Sequence, residues 1–397
     1  MKKIVHLSII CLLFQIHSYS SHAQEWADVD GGTTLGAVFT LYTDSIDDLL
    51  YVGGIFDTVG PNYYASAGFA TYDGGLWNDL AGHFGEDATE CITRFKDSIY
   101  HAGILGGVYI GKQTKLNQIG DFNKKVLCLA VYHDELYAGG NFTSLTQPSS
   151  LSMNHIAKWN GTVWQEVGGG IKNSYSSADA GVHVLYVYNG ELYAGGLFDT
   201  AGTVPCKNIV KWNGTEWQPI GSGVKMADNN KGKVICMTTY HNALMVGGIF
   251  NTAGDSTVGN LAMWKDSVWQ GVNHSFDKEV DAVCEYNSEL YAGGAFSFDG
   301  ITDNHIAKWN GSEWTSLGEG MTDGGGVNSL TTWRGSIIVG GRFTQIESSL
   351  VVSNLASFSD FPIIPHDTII ISDSMVVTPG IISNHAVIHL TAIPGAL

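Results

Sequence analysis

Three tyrosines and a set of carboxylates are the residues of this 397-residue chain best suited to handling a ligand. Tyr63, Tyr64 and Tyr175 carry ring faces able to stack on sugars, and each stands in a long polar segment. Asp179, Asp228, Asp277, Glu279 and Asp323 lie in comparable segments and could supply a cation site or a general acid. The plainer alternatives are rings packed beneath their own loops and solvated loop charge. No nucleophile elbow, H-E-x-x-H pair or C-x-x-C spacing accompanies these residues, so no local motif announces catalysis and no metal or cofactor is expected.

Three further segments imitate functional motifs. Gly106 to Lys112 has the spacing of a phosphate loop, but Gln113 stands where Ser or Thr is needed and a strand, not a helix, should follow. Asp28-Val29-Asp30-Gly31 starts like a calcium loop and lacks the later acid. Asn141, Asn160, Asn213, Asn273 and Asn310 open N-x-S/T triplets, several of them already explained as turn residues.

The elements that must position these residues form a repeat. Leu50-Tyr51-Val52-Gly53-Gly54-Ile55-Phe56 returns at Leu136 to Phe142, Leu192 to Phe198, Leu244 to Phe250, Leu290 to Phe296 and Ile337 to Phe343, with a worn copy at Ile99 to Gly103. Each full copy except the last is followed by a strand ending in an aromatic, a turn such as Asn160-Gly161, and a tryptophan. A period near fifty residues belongs to propeller blades of four strands. The fold class expected is therefore all-β, a seven-bladed β-propeller of four-stranded antiparallel blades. The last copy lacks its outer strand, and Glu25 to Gly31 is an outer strand with no hairpin before it. The N-terminal strand should therefore close the ring over residues 24–361.

Within a blade, Val126 to Tyr132 reads as the innermost strand and Gly139-Gly140 as a point of close backbone approach. Asn160-Gly161 predicts a two-residue type I′ turn, placing Ala157 opposite Trp164, Lys211 opposite Glu216 and Lys308 opposite Glu313. The column Gly68, His155, Asn208, Asn260, His305 and Asn354 predicts left-handed backbone. A ligand pair of His155 and His305 is the alternative reading, and their places in the third and sixth blades, far apart on a ring, favour the turn requirement. Cys91, Cys128 and Cys236 share one repeat position, which marks them as small buried hydrophobes rather than a disulfide framework.

Lys2 and Lys3, the apolar run Ile4 to Ile16 and Ser21-His22-Ala23 read as a Sec-type signal peptide over residues 1–23, so secretion or display on the outer cell surface is expected. No later run is long and apolar enough to span a bilayer. A formal net charge of −18 makes nucleic acid and anionic membrane poor partners. Residues 362–397 break from the repeat, either as a fragment of a further β domain or as an extension packed on the ring.

Units such as Glu191 to Phe198 and Asn208 to Trp217 resemble kelch-related repeats of the galactose oxidase/kelch propeller superfamily, and more closely those of Rax2-like extracellular propellers and of exported Bacteroidetes-type proteins. The resemblance covers residues 25 to about 362 and implies a fold, not an activity. Nothing matches the Tyr and Cys of galactose oxidase's copper site, so that chemistry is not implied. The expected function is a non-enzymatic, monomeric binding scaffold. Its partners would be an extracellular protein or polysaccharide, held on the face that carries the long loops. The alternative is a carbohydrate-active lyase or hydrolase with its site on the same face.

Overall fold

The computed structural model describes residues 22–80, 88–111, 117–147, 151–174, 177–227, 232–273, 276–298, 304–323, 325–362, 369–372 and 375–377. Every regular element among them is a β-strand. Val126–Tyr132, Glu135–Gly140, Ile156–Trp159 and Trp164–Glu166 form an antiparallel sheet in chain order. The same four-strand order recurs in sheets that begin with Ala37–Asp44, Gly181–Tyr188, Lys233–Tyr240 and Val280–Tyr286. The worn copy supplies Thr89–Phe95, Ser98–Gly103, Gly107–Ile110 and Asn117–Phe122, a sheet that continues into Ser144–Gln147 and Leu151–Ser152. The phosphate-loop imitation thus contains a strand.

The sheet that begins with Val327–Trp333 adds Ser336–Gly341 and Leu355–Pro362, and takes His22–Asp28 from the front of the chain as its fourth strand. Trp26 packs on Phe358 with ring centroids 4.9 Å apart. Contacts divide the chain into one compact unit, Trp26–Phe358, and a second comprising Met1–Glu25 with Ser359–Leu397. In the second, Ile369–Ser372 pairs with Met375–Val377. The signal-peptide reading over residues 1–21 and the strand expected at Ala386 to Leu390 lie outside the described residues.

Two-residue turns with positive φ at both positions join first and second strands, as at His133 and Asp134 (48° and 58°) and His241 and Asn242 (44° and 60°), and one outer hairpin also has such a turn, at Asp266 and Ser267 (50° and 63°). The Asn-Gly outer hairpins differ from expectation. Trp159 pairs with Trp164 and Trp212 with Trp217, which makes the loop four residues and shifts the register by two. The cause is the asparagine side chain. Asn160 Oδ1 accepts from the backbone N–H of Thr162 and Val163, and only Gly161 takes positive φ. Lys211 therefore pairs not with Glu216 but with Glu191 at 2.7 Å, and Lys308 with Glu289 at 3.1 Å.

The left-handed column is present as expected, with φ from 60° to 67° at His155, Asn208, Asn260, His305 and Asn354. It also fastens repeats to their linkers. Asn208 Nδ2 donates to the Val224 carbonyl at 2.8 Å, and Asn354 Nδ2 donates to that of Thr33 at 2.9 Å. Buried tryptophans act likewise: the Nε1 of Trp164, Trp269 and Trp314 donates to Ile119, Ile220 and Val272, and that of Trp77 to Asp30. Gly139 admits the neighbouring sheet, since a Cβ there would stand 2.6 Å from Val182 Cγ1. The five described cysteines are free, four of them buried, and Cys128 Sγ lies 3.9 Å from the Val182 carbonyl.

Candidate functional site

Each sheet's first strand is an edge strand, and each carries a β-bulge at the same place. Val126 pairs with Gly140 and Cys128 with Gly139, which leaves Leu127 without a partner. The corresponding extra residues are Phe39, Glu90, His183, Ile235, Asp281 and Asn328. All seven are partly exposed. A bulge re-aims a side chain out of the ladder, and bulges concentrate beside functional sites. These strands lie against one another. Cys91 Sγ approaches the Val126 carbonyl, Tyr186 donates to Thr239 Oγ1 at 3.0 Å, and Leu41 N–H donates to Ser329 Oγ at 3.1 Å.

The polar members sit among charges. Lys125 pairs with Glu90 at 3.1 Å. Asp179 pairs with Lys233 at 3.0 Å, and His183 Nε2 lies 2.9 Å from the Asp179 carbonyl. Burial lowers the His183 pKa against the pull of Asp179, which keeps the ring neutral near pH 7. Burial pushes the Asp281 carboxyl up to about 7, with Glu279 adding to the rise and Lys233 opposing it. Asp281 accepts no hydrogen bond among the described residues, so its carboxyl is available to a ligand.

Of the residues expected from sequence, Asp179 and Glu279 belong to this cluster. Tyr63 and Tyr64 lie on the hairpin of Thr58–Val59 and Tyr64–Ala65, where they are 68% and 51% exposed and so free to meet a ligand. Asp277 and Asp323 act as loop fasteners: Asp277 Oδ1 accepts from Ser297 N–H at 2.8 Å, and Asp323 Oδ2 accepts from the Thr344 N–H and hydroxyl. Tyr175 and Asp228 lie outside the described residues. The supposed calcium loop is an Asx turn, Gly31 N–H donating to Asp28 Oδ2. Described parts of the expected long loops pair as short strands. Thr33–Thr34, Thr58–Val59 and Tyr64–Ala65 form a small sheet, repeated by Ile171–Lys172, Thr200–Ala201 and Val204–Pro205 and again by Val224–Lys225, Thr252–Ala253 and Ser256–Thr257.

His183, Asp281 and Glu90 escaped the sequence reading because it looked for function in loops. The signal was present: a polar residue follows Val or Thr near the start of an apolar first strand, as in Val182-His183-Val184 and Val280-Asp281-Ala282.

No family model matches the chain, and no curated protein matches its sequence. Among solved structures it is similar to the extracellular domain of a hybrid two-component system from B. thetaiotaomicron, at 13% identity and a TM-score of 0.58. That likeness covers 85% of this chain and 39% of the other, so the chain spans about two fifths of that protein's length. It is also similar to the WD40 β-propeller domain of Doa1, at 11% identity and a TM-score of 0.51, covering 84% of this chain and 96% of the other. With the antiparallel four-stranded sheets, these likenesses show a β-propeller fold.

Proposed function

We propose that the chain is a seven-bladed, kelch-like propeller, closed by its N-terminal strand, that works outside the cell as a monomeric binding scaffold. Closure is supported by Trp26 on Phe358 and by the bonds from the Val327 sheet to the Ala37 sheet. The extracellular setting is supported by the Lys2-Lys3 leader pattern and by the extracellular domain it resembles.

One observation carries the binding reading. In six of the seven repeats the frame keeps its residues, Gly-Gly opposite the bulge, Val before it and Trp on the outer strand; the worn copy has Ala102-Gly103 and Thr89 and no tryptophan in Asn117–Phe122. The bulge position runs Phe39, Glu90, Leu127, His183, Ile235, Asp281, Asn328. A frame must repeat, whereas a recognition surface need not, and seven side chains of five chemical kinds around one axis make an asymmetric mouth. Extracellular protein or polysaccharide is the partner class proposed. The mouth opens on the face of the linkers and the small sheets, where Tyr63, Tyr64, Asp179 and Asp323 also stand and where Tyr175 and Asp228 are proposed to join them. The second reading, a carbohydrate-active enzyme, rests on Asp281, whose carboxyl titrates near 7 and suits general acid or base work.

The test is a glycan and protein-partner array probed with the mature chain, its Asp281→Asn and His183→Ala variants, and a Leu76→Ala control on an outer hairpin. Loss of a hit in the first two variants alone supports the mouth. Hits unaffected by either would sink it, and product formed from a bound glycan and abolished in Asp281→Asn would replace the scaffold with the enzyme.

A further inference from the structure

A second recess lies where the ends of the repeat array meet. It is a cleft of about 540 Å³ lined by Leu35, Gly36, Asp323, Gly326, Arg342 and Thr344, among others. That volume falls in the range of small-molecule sites.

Its charged groups are unusual for this chain. Of the three arginines, Arg94 is engaged by Asp44 and Asp47 and Arg334 by Asp48. Arg342 is exposed and makes no ion pair among the described residues, although Asp323 lines the same cleft. The Asp323 carboxylate is held in place through Oδ2 by the Thr344 N–H and hydroxyl, which leaves Oδ1 open. Arg342 is anchored by its own backbone, whose N–H donates to the Gly326 carbonyl at 3.0 Å. An aspartate and an arginine thus line one recess from anchored backbone positions without forming an ion pair with each other. Beside them Leu35, 74% exposed at a φ of 56°, puts an apolar side chain on the rim. The position before the repeat's phenylalanine is Ile55, Asn141, Leu197, Ile249 or Ala295 in the other full copies, so the guanidinium is particular to this junction.

We propose that this cleft binds a small zwitterion, an α-amino acid or short peptide with an apolar side chain. Arg342 takes the carboxylate through its planar fork, Asp323 Oδ1 takes the ammonium, and Leu35 covers the side chain. A zwitterion brings no net charge to a chain of formal charge −18, whereas a polyanion would be repelled by it. The bulge residues take no part, and Asp323 is shared with the face of the mouth, so Arg342→Met tests the cleft alone and Asp281→Asn with His183→Ala the mouth alone.

The test is isothermal titration of the full chain with L-leucine and leucyl-leucine. Its controls are 4-methylpentanoate, isoamylamine and N-acetyl-leucinamide, which carry the carboxylate alone, the ammonium alone and neither. The zwitterions should bind at least about tenfold more tightly than any control, a loss of one charge-assisted contact. Arg342→Met should reduce leucine binding to the level of isoamylamine. Asp323→Asn should reduce it to the level of 4-methylpentanoate, and because the amide oxygen still accepts from Thr344 the loop should hold, as an unchanged melting temperature would verify. Equal binding of leucine and N-acetyl-leucinamide, undiminished binding by Arg342→Met, or selective binding of a uronate oligosaccharide in place of leucine would overturn the assignment.

Discussion

Gly340 lies directly against Val38: a Cβ on the glycine would stand 2.5 Å from Val38 Cγ1. The same relation joins Gly195 to Val234 at 2.5 Å and Gly293 to Val327 at 2.4 Å, each between consecutive repeats. The last repeat therefore meets the first as the repeats of Gly195 and Gly293 meet their successors, and the contact closing the proposed ring uses the same interface.

That equivalence gives the first prediction. Gly340→Ala forces a methyl onto a buried valine and should cost about 1–3 kcal/mol, the range for overpacking a core. Gly341→Ala should cost more, because its Cβ would meet the Gly326 carbonyl at 2.2 Å and backbone yields less readily than a side chain. Val38→Ala should recover part of the Gly340→Ala loss and none of the Gly341→Ala loss. Chemical denaturation checks all three. Wild-type stability in Gly340→Ala would mean that the first and last repeats do not pack as described.

Asp281 gives a pH prediction. Its folded-state pKa, near 7, lies above the ordinary carboxylate value of 3.8, so between the two the folded chain holds more protons than the unfolded one. Stability then falls as pH rises from about 4 to 7, and the loss is complete above 7. Asp281→Asn fixes the neutral form. It should match wild type at pH 4 and exceed it by about 1–3 kcal/mol at pH 8. Parallel stability curves across that range would show that the carboxyl ionises freely.

Much of the frame was legible in the sequence, and the reasons are physical. Asn208 and His155 stand where a left-handed residue is needed, and Asn, His and Gly tolerate that backbone best. The Gly139-Gly140 pair was readable because a close approach excludes a Cβ. The outer hairpin register was not readable from Asn160-Gly161, since Asn can set a turn by its backbone or by its side-chain oxygen and here the side chain decides. The bulge residues were missed for a related reason. A bulge is one extra residue in a strand, and His183 or Asp281 looks like an ordinary strand position until the pairing across it is known.

Arg94 makes the third prediction. It reaches from the Thr89 sheet to Asp44, whose side chain is 1% exposed, and to Asp47 at 2.7 Å. Arg94→Leu leaves Asp44 buried without its cation and should cost about 3–5 kcal/mol. Adding Asp44→Asn should restore much of that loss, because the uncompensated charge is then gone. An additive double mutant would show that the pair contributes through packing rather than through charge.

Asn354 separates backbone strain from hydrogen bonding at the junction of last repeat and first linker. Its φ is 60° and its Nδ2 donates to the Thr33 carbonyl at 2.9 Å. Asn354→Gly keeps the backbone and loses the bond, so it should cost about 1–2 kcal/mol for a buried acceptor left without that donor. Asn354→Ala loses the same bond and also forces a Cβ into left-handed backbone, adding about 1 kcal/mol. Asn208→Gly, which loses the matching bond to Val224, should cost the same as Asn354→Gly, because the linker from Thr33 meets the last repeat as an internal linker meets its own. A much smaller cost at Asn354 than at Asn208 in denaturant titrations would mean that the N-terminal segment is held more loosely than the internal linkers, and would count against the proposed closure.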